Sequence, residues 1–300
     1  MIAILYIFIM KRYIFIIALS HLINCSFAQN NLVTNFSFEI MSQCPTGAGQ
    51  LSYATGWFQP NIYYGLQTHG STDYFNACSV VIGIPNNMFG CEYAHTGNGY
   101  VGFGAFVPTN SSDEREYLEV KLNESLVSNS YYCVNFYLSL SDSSFYAIKN
   151  IGIYFSNDTL KYSSSNYAPI PVIPQLENTT FLMDTMNWME FKGYYLAKGG
   201  ERFITIGNFR DNNNTDTLLV HRGFNSTWAI SYYYIDDISV TECTLPPPTT
   251  ASILSSGGIL TIEYLLPNSQ LLLYNALGQQ VYEADNYDNL FSTINLATGI

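Results

Sequence analysis

Charged residues are scarce in this chain of 300 residues, and basic residues are the scarcest of all. Asp, Glu, Lys and Arg together make up 11% of the sequence, well below the roughly 25% of an ordinary soluble domain. Lys and Arg number 11 against 23 Asp and Glu, which gives a formal net charge of -12. Because affinity for a phosphate backbone depends on basic side chains, this deficit disfavours nucleic acid as a partner.

Helical patterning is also missing, since no segment repeats its apolar residues with the period of an α-helix. Aromatic residues reach 16% of the chain, with 25 Tyr and 19 Phe, and residues of this kind favour strands. Alternation of apolar and polar residues marks strands with one buried face. It occurs at Tyr117–Leu122, Cys133–Leu140, Ile151–Phe155, Phe203–Ile206 and Tyr232–Val240. So many short strands predict an all-β sandwich or jelly roll.

Recognisable catalytic and metal-binding motifs are absent from the sequence. His69, His95 and His221 belong to no histidine metal motif, and the chain has no C-x-x-C pair, nucleophile elbow or Gly-rich phosphate loop. Asp113–Glu116 with Glu119 is the one dense carboxylate group. Glycosidases use paired carboxylates, but this group is expected at an exposed strand entry. We therefore predict a protein that is not an enzyme, with a polysaccharide-degrading enzyme as the third-ranked alternative.

Residues 1–28 are predicted to form a signal peptide. An apolar run, Tyr13–Leu19, follows two basic residues, and Ser26–Ala28 places small residues where signal peptidase requires them. Cleavage would leave Gln29 as the first residue and no transmembrane span, because the run is shorter than the ~20 residues that a span needs. An uncleaved membrane anchor and a lipoprotein modified at Cys25 are the alternatives.

Five cysteines remain after the predicted cleavage: Cys44, Cys78, Cys91, Cys133 and Cys243. Thiols of an exported protein tend to pair in an oxidising compartment. Since the number is odd, at most two disulfides form and one thiol remains free. Connectivity does not follow from sequence. A Cys44–Cys78 bond is favoured, because both residues lie in loop-like segments near the start of the chain.

A Pro- and Thr-rich linker at residues 246–252 separates a main domain, residues 29–245, from a small C-terminal β unit, residues 253–300. Leu273–Val281 and Ile294–Ile300 in this unit resemble the C-terminal sorting domain of type IX secretion cargo in the Bacteroidota. The Pro-Asn-Pro opening of that family is missing, and the last strand is expected to be incomplete. The resemblance implies the type IX secretion machinery as a partner. It also implies a protein that is secreted or attached to the outer cell surface.

The main domain resembles the galactose-binding-like jelly rolls, which include several families of carbohydrate-binding modules. Asn31–Glu39, followed by Gly56 and Trp57, resembles their first strand and the loop after it, and Tyr234–Val240 resembles their last strand. Asp73–Cys78 and Pro85–Gly90 also resemble segments of exported Bacteroidota proteins. The resemblance implies an all-β, galactose-binding-like jelly-roll β-sandwich, followed by the small β-sandwich-like sorting domain.

The resemblance also implies a structural calcium where the first and last strands meet. Its carboxylates would be Glu39 and either Asp236 or Asp237, because successive side chains of a strand face opposite sides. A role in stability is implied, not a role in catalysis. The alternative is that these carboxylates are solvated or accept backbone hydrogen bonds.

Sugar recognition requires flat apolar surface next to groups that bind hydroxyls. The segments that combine aromatic and polar residues supply the candidates for ligand contact: Trp57, Tyr63, Asp73, Tyr74, Asn76, Tyr93, His95 and Arg115. The alternative for each aromatic residue is a place in the core. The sequence thus predicts a secreted or cell-surface binding protein for a glycan or cell-surface polysaccharide. A structural or protein-binding component of the cell envelope is the second alternative.

Overall fold

The computed structural model describes residues 30–63, 70–108, 113–164, 168–220 and 230–243, together with the backbone of four strands between 252 and 287. Apart from a single 3-10 turn at Leu51–Tyr53, its regular elements are strands, as the sequence predicts. They are β1 (Trp57–Phe58), β2 (Asn61–Tyr63), β3 (Asp73–Asn76), β4 (Asn86–Asn87), β5 (Gly90–Cys91), β6 (Gly99–Phe106), β7 (Tyr117–Lys121), β8 (Tyr131–Leu140), β9 (Tyr146–Ile148), β10 (Ile151–Ser156), β11 (Tyr162–Ser164), β12 (Leu176–Glu177), β13 (Met189–Leu196), β14 (Phe203–Asn208), β15 (Thr217–Leu219), β16 (Ser231–Glu242), β17 (Ser252–Ser256), β18 (Ile259–Glu263), β19 (Ser269–Tyr274) and β20 (Gln280–Tyr287).

Two five-stranded antiparallel sheets form a β-sandwich. Sheet I has the order β1-β7-β14-β10-β12, and sheet II has the order β13-β8-β16-β6-β3. Most neighbours within a sheet are far apart in sequence, as in the jelly roll that the sequence predicts. One hydrophobic core holds buried residues of both sheets, and Phe155 of sheet I stacks on Tyr195 of sheet II with ring centroids 4.2 Å apart.

The alternation predicted from the sequence sets which side chains enter this core. Leu118 and Val120 of β7 and Phe136 and Leu138 of β8 are buried between the sheets, and the residues between them point outward. The sequence did not predict β13, which pairs with β8, or β6, which pairs with β16. The β6 segment is rich in Gly, and the outward residues of β13 interrupt its short apolar pattern.

The first and last segments of the main domain lie side by side, as the jelly-roll resemblance implies. The amide of Leu32 donates to the carbonyl of Val240, and the amide of Ile238 donates to the carbonyl of Phe36. The segment at Asn31–Glu39 is, however, a series of turns with a single bridge at Val33, and not a continuous strand. This segment is therefore a cap that joins the two sheets at one end.

A covering segment, Ala77–Asn98, lies over part of the outer face of sheet II. Phe89 of this segment stacks on Tyr232 of β16, with ring centroids 3.8 Å apart, and Phe75 and Tyr234 pack in the same buried cluster. The strands β3, β6 and β16 are thus covered. The outward residues of β8 and β13 beyond this cluster, from Asn135 to Tyr137 and from Glu190 to Leu196, are partly or fully exposed.

Two disulfides hold the domain, and one thiol is free. Cys44 is bonded to Cys78, which is the pairing favoured from the sequence. Cys133 is bonded to Cys243 and joins the start of β8 to the residue that follows β16. Cys91, on β5, is the free and exposed thiol among the described residues.

The described backbone between 252 and 287 contains two antiparallel strand pairs, β17 with β18 and β19 with β20. The predicted strands at Ile259–Ile262 and Leu271–Tyr282 agree with β18, β19 and β20, whereas the predicted turn at residues 275–278 lies outside the described residues. The predicted signal peptide, residues 1–28, and most of the linker lie outside them as well. Within the described part of the chain, no helix has the length and apolar character of a membrane span.

Candidate functional site

Three aromatic rings meet where the covering segment ends and the exposed part of sheet II begins. The imidazole of His95 stacks on the ring of Tyr137 with centroids 3.7 Å apart and an interplanar angle of 18°. The indole of Trp188 stands at 69° to the imidazole, with centroids 6.0 Å apart. All three side chains are partly exposed. We call His95, Tyr137 and Trp188 the aromatic corner.

Polar side chains of the two neighbouring strands adjoin the aromatic corner. Glu190 lies opposite Tyr137 in the strand register. Its Oε1 accepts hydrogen bonds from Asn135 Nδ2, at 2.5 Å, and from the Tyr137 hydroxyl, at 3.2 Å. Its Oε2 lies 2.7 Å from Lys192 Nζ, and the hydrogen bond from this ammonium group lowers the pKa of Glu190. The corner therefore combines apolar ring surface with amide, carboxylate and ammonium groups.

Trp188 and Tyr93 join the corner to the covering segment. The indole Nε1 of Trp188 donates to the backbone carbonyl of Tyr93 at 3.0 Å, and the Trp188 ring also packs edge-on against Tyr100. The side chain of Tyr93 is 70% exposed. An exposed tyrosine therefore stands beside the corner.

Two aspartates of β16 hold the part of the covering segment that carries His95. Asp237 Oδ2 lies 2.5 Å from His95 Nδ1, and Asp237 Oδ1 accepts from the Thr96 hydroxyl at 2.7 Å. Asp236 Oδ2 accepts the backbone amides of His95 and Thr96 at 3.0 and 3.2 Å. Burial and the neighbouring charge of Asp237 raise the pKa of Asp236 to about 8.

The third carboxylate, Glu39, binds the other end of the same loop. Its Oε1 accepts the amides of Asn98 and Gly99 at 2.8 and 2.9 Å. Gly97, between these contacts and Thr96, has a φ of 69°, and a Cβ at this position would collide with the Glu39 carboxyl group. The loop therefore approaches Glu39 closely only because residue 97 is a glycine.

Glu39, Asp236 and Asp237 do not fit the calcium site that the resemblance implies. Calcium requires several oxygen ligands that face the ion, whereas these carboxylates face N–H and O–H donors of one loop. No group of three or more His, Cys, Asp or Glu side chains in the described residues is arranged to hold a metal ion. The alternative stated from the sequence, acceptance of backbone hydrogen bonds, describes Glu39 and Asp236, whereas Asp237 contacts the side chains of His95 and Thr96.

The expectation that only one of Asp236 and Asp237 faces a given site is wrong. Both bind the segment at His95 and Thr96. The register of β16 against β8 shifts between Asp236 and Ser239, and Asp237 has a φ of 49°. This β-bulge turns two successive side chains to the same side, which simple alternation does not allow.

Trp57, a predicted ligand contact, belongs to the core. Its side chain is 2% exposed, its Nε1 donates to the carbonyl of Asn35 at 3.0 Å, and its ring packs on Phe38 with centroids 4.9 Å apart. Trp57 is therefore placed where a glycan has no access.

The prediction of ligand contact is also wrong for Asp73, Tyr74 and Asn76 of β3, because these residues are buried. Asp73 Oδ2 accepts from the Tyr232 hydroxyl at 2.5 Å, and burial raises the pKa of Asp73 to about 6. The hydroxyl of Tyr74 donates to the carbonyl of Phe38 and accepts from Asn76 Nδ2. Burial raises the pKa of Tyr74 to about 12. Internal partners satisfy these groups, so none is available to a ligand.

Arg115, another predicted ligand contact, lies inside the fold. Its guanidinium is fully buried and donates to the carbonyl of Arg210, to Asn212 Oδ1 and to Thr215 Oγ1. It also lies over the ring of Phe106. Burial lowers the pKa of Arg115 to about 10. The residue ties loops together inside the fold.

The carboxylates around Arg115 do not form an exposed pair. Asp113 Oδ1 accepts the amide of Asn212, and Glu116 Oε2 accepts the amide of Gly104. Glu119 is buried, accepts from Leu160 and Thr205, and has a pKa raised by burial. The expectation that Glu119 belongs to an exposed strand entry is therefore wrong, and these groups serve as internal acceptors.

Two of the predicted contact residues, Tyr93 and His95, lie at the aromatic corner. Tyr63 is on β2, but its side chain lies outside the described residues, as do His69 and His221. Sequence reasoning missed Tyr137, Trp188 and Glu190. Tyr137 and Glu190 are outward positions of alternating strands, and the alternation of β8 identifies Tyr137 as outward. The sequence does not show that β13 and the covering segment lie next to Tyr137.

No protein-family model and no curated protein matches the chain. Among solved structures, the chain is similar to the xylan-binding domain CBM22-1 of Xyn10C from Paenibacillus barcinonensis, with 13% identity, a TM-score of 0.35, and coverage of 72% of this chain and 96% of that domain. It is similar to TmCBM61 in complex with β-1,4-galactotriose, with 13% identity, a TM-score of 0.35, and coverage of 71% and 99%. It is also similar to the K1 cleaved adhesin domain of Lys-gingipain from Porphyromonas gingivalis W83, with 16% identity, a TM-score of 0.33, and coverage of 69% and 96%. At these TM-scores the function of the matched proteins is not carried over.

Proposed function

We propose that this protein is an exported, non-catalytic glycan-binding protein and that the aromatic corner is its binding site. The observation that carries the proposal is the corner itself: the His95 and Tyr137 rings are stacked, and Trp188 stands at 69° to the His95 ring, on a partly exposed face of a sheet. Sugars bind to aromatic rings through their apolar C–H faces and to adjacent polar groups through their hydroxyls. Asn135 and Glu190 stand beside the rings for the second purpose.

The charges at the corner favour a neutral glycan. Glu190 and Asp237 are acidic, Lys192 is paired with Glu190, and the whole chain carries a formal net charge of -12. A uronic-acid or sulfated chain would meet net repulsion. An amino sugar would find carboxylates that are already hydrogen-bonded to Lys192, Asn135 and His95. The proposed ligand class is therefore an uncharged polysaccharide, such as one found on cell surfaces.

The two disulfides support an exported location, because such bonds form and persist in oxidising compartments. Export by a signal peptide and the type IX machinery, with release or attachment at the outer cell surface, stays a proposal from the sequence resemblance.

The test is a polysaccharide pull-down with the full chain, using neutral, uronic-acid and sulfated polymers, followed by titration of any polymer retained. We expect a neutral polymer to be retained and Tyr137→Ala or Trp188→Ala to weaken binding roughly tenfold or more, since loss of an aromatic contact of this kind costs on the order of 1–2 kcal/mol. Tyr154→Ala, a partly exposed aromatic residue of sheet I that packs on Phe209, is the matched control. Retention of acidic polymers alone would contradict the proposed ligand class.

One observation favours the second candidate function, a protein-binding component of the cell envelope. Met183 and Met186, in the segment that leads into Trp188, are 58% and 84% exposed. Exposed methionines beside aromatic rings are typical of protein-binding surfaces. Folded protein that retains no polysaccharide would favour this alternative, whereas hydrolysis of a polysaccharide would favour the enzyme.

A further inference from the structure

We infer that Glu39, Asp236 and Asp237 act together as a carboxylate clamp that positions the aromatic corner through the loop His95–Gly99, and that this clamp stands in place of a structural calcium ion. The inference deepens the proposed function and rests on it for one of its readouts. Its other readouts concern the loop alone and do not require a glycan.

The first step is the convergence of three distant carboxylates on one short loop. Glu39 belongs to the first segment of the domain, whereas Asp236 and Asp237 belong to its last strand. Their side chains accept hydrogen bonds from His95, Thr96, Asn98 and Gly99. The loop is thereby fixed to both ends of the domain at once.

The second step is the chemistry of the donors. The partners of these oxygens are four backbone amides, one hydroxyl and the imidazole of His95. Amide hydrogens carry the positive end of a dipole toward the carboxylate, which is the electrostatic role that a calcium ion would have. Because the loop occupies that position, binding of an ion by these three groups would require the loop to leave.

The third step links the clamp to the aromatic corner. Asp237 holds Nδ1 of His95, while the ring of His95 lies flat on Tyr137. Two residues earlier, the carbonyl of Tyr93 accepts Trp188 Nε1. Displacement of the loop would therefore separate all three rings of the corner. The three acids are positioning residues, because they act on the corner through His95 and Tyr93.

The backbone of the clamp has little tolerance for change. Gly97 has no room for a side chain against Glu39, and Asp237 adopts a left-handed φ within a β-bulge. Such strained positions persist where the surrounding contacts hold them in place. The hydrogen bonds of the clamp supply contacts of this kind.

The first experiment asks whether calcium binds to the folded protein. Thermal unfolding of the full chain is measured in millimolar calcium and in excess chelator, and then with Glu39→Gln. The inference predicts the same Tm with calcium and with chelator. A higher Tm in calcium that is lost in Glu39→Gln would overturn it, because Glu39 would then be an ion ligand.

The second experiment uses Asp237→Ala and the conservative Asp237→Asn, with Asp142→Ala as the matched control. Asp142 also accepts an amide of the covering segment, that of Cys91, but at a point away from the corner. Proton NMR reports the His95 ring, which the stacked Tyr137 shifts upfield, and His95→Gln assigns the signal. We expect the upfield shift to disappear in Asp237→Ala, to be largely kept in Asp237→Asn, and to be unchanged in Asp142→Ala.

Binding of the retained polysaccharide separates this inference from the proposed function. We expect Asp237→Ala to weaken binding roughly tenfold, in line with loss of a hydrogen bond to a charged group. If the His95 signal of Asp237→Ala stays at its upfield wild-type position, the clamp is overturned. If the signal moves but binding is unchanged in both Asp237→Ala and Tyr137→Ala, the clamp stands and the proposed site is wrong.

Discussion

At the scale of single residues, the raised pKa values of two carboxyl groups predict how the stability of this protein depends on pH. Asp73 is buried against the Tyr232 hydroxyl, and Glu116 accepts the amide of Gly104 close by in the fold. Burial, and for Glu116 also the charge of Asp73, raises the pKa of Asp73 to about 6 and that of Glu116 to about 7. Both groups therefore bind a proton more tightly in the folded state than in the unfolded state.

We expect stability to rise when the pH is lowered from about 7.5 to about 5.5. The contribution of a carboxyl group with a raised pKa is fully present below its unfolded-state pKa, near 4, and is lost as the pH rises through about 6 and about 7. For Asp73 the effect is at most about 3 kcal/mol. Urea unfolding across this pH range measures it. Asp73→Asn should reduce the slope of the profile without abolishing it, because Glu116 and Asp236, with pKa values of about 7 and about 8, remain.

A different set of carboxylates opposes this trend only at lower pH. Hydrogen bonds lower the pKa of Asp184 and of Glu190, so their contribution to stability is lost as the pH falls below the usual range of a carboxylate. The two effects therefore occupy different pH windows. A stability that falls steadily from about pH 7.5 to about 5.5 would contradict the account of Asp73 and Glu116.

At the scale of elements, the sandwich depends on how its strands are linked as well as on its core. The Cys133–Cys243 disulfide joins residues 110 positions apart, whereas Cys44–Cys78 spans 34. Closing a longer loop removes more entropy from the unfolded chain. The expected stabilisation is therefore about 5 kcal/mol for Cys133–Cys243 and about 4 kcal/mol for Cys44–Cys78. The longer link also holds the ends of the neighbouring strands β8 and β16 together.

We therefore expect loss of Cys133–Cys243 to destabilise the protein more than loss of Cys44–Cys78. The variants Cys133→Ser with Cys243→Ser, and Cys44→Ser with Cys78→Ser, are compared by denaturant unfolding with the wild type. Both should lose several kcal/mol, and the first pair should lose more. An equal or reversed order would mean that local packing around Cys44 and Cys78, and not chain entropy, governs the effect.

The strands show where sequence reasoning succeeds. Alternation of apolar and polar residues identified β7, β8, β10, β14 and β16, because one face of each strand lies in the core. The β-bulge of β16 was not predictable in the same way. It accompanies contacts of both Asp236 and Asp237 with a loop that is distant in sequence.

The candidate site was only partly predictable for the same reason. Tyr93 and His95 were identified as candidates from their local composition, and they do lie at the corner. Trp57 and Tyr74 have a similar composition around them, yet they are buried. Trp57 and Tyr74 lie in the core between the sheets, whereas Tyr93 and His95 belong to the covering segment. This difference is a tertiary property with no local signature in the sequence.

At the scale of the whole molecule, charge and surface support the same function. A chain with few charges and a net charge of -12 has little means of attracting anionic polymers. Its uncharged polar surface is suited to hydroxyl-rich ligands, for which aromatic rings and amides are the usual contacts. We expect binding of a neutral glycan to depend only weakly on salt, because no ion pair with the ligand is formed.

The most direct measurement is a fluorescence titration of the full chain with the neutral polysaccharide that it retains. Of the three Trp residues, Trp57 is buried and Trp188 forms part of the corner, while Trp228 lies outside the described residues. The account predicts a saturable change in tryptophan emission that disappears in Trp188→Phe, while Tyr154→Ala behaves as wild type. An emission change that persists undiminished in Trp188→Phe, with unaltered affinity in Tyr137→Ala, would contradict the aromatic corner as the binding site.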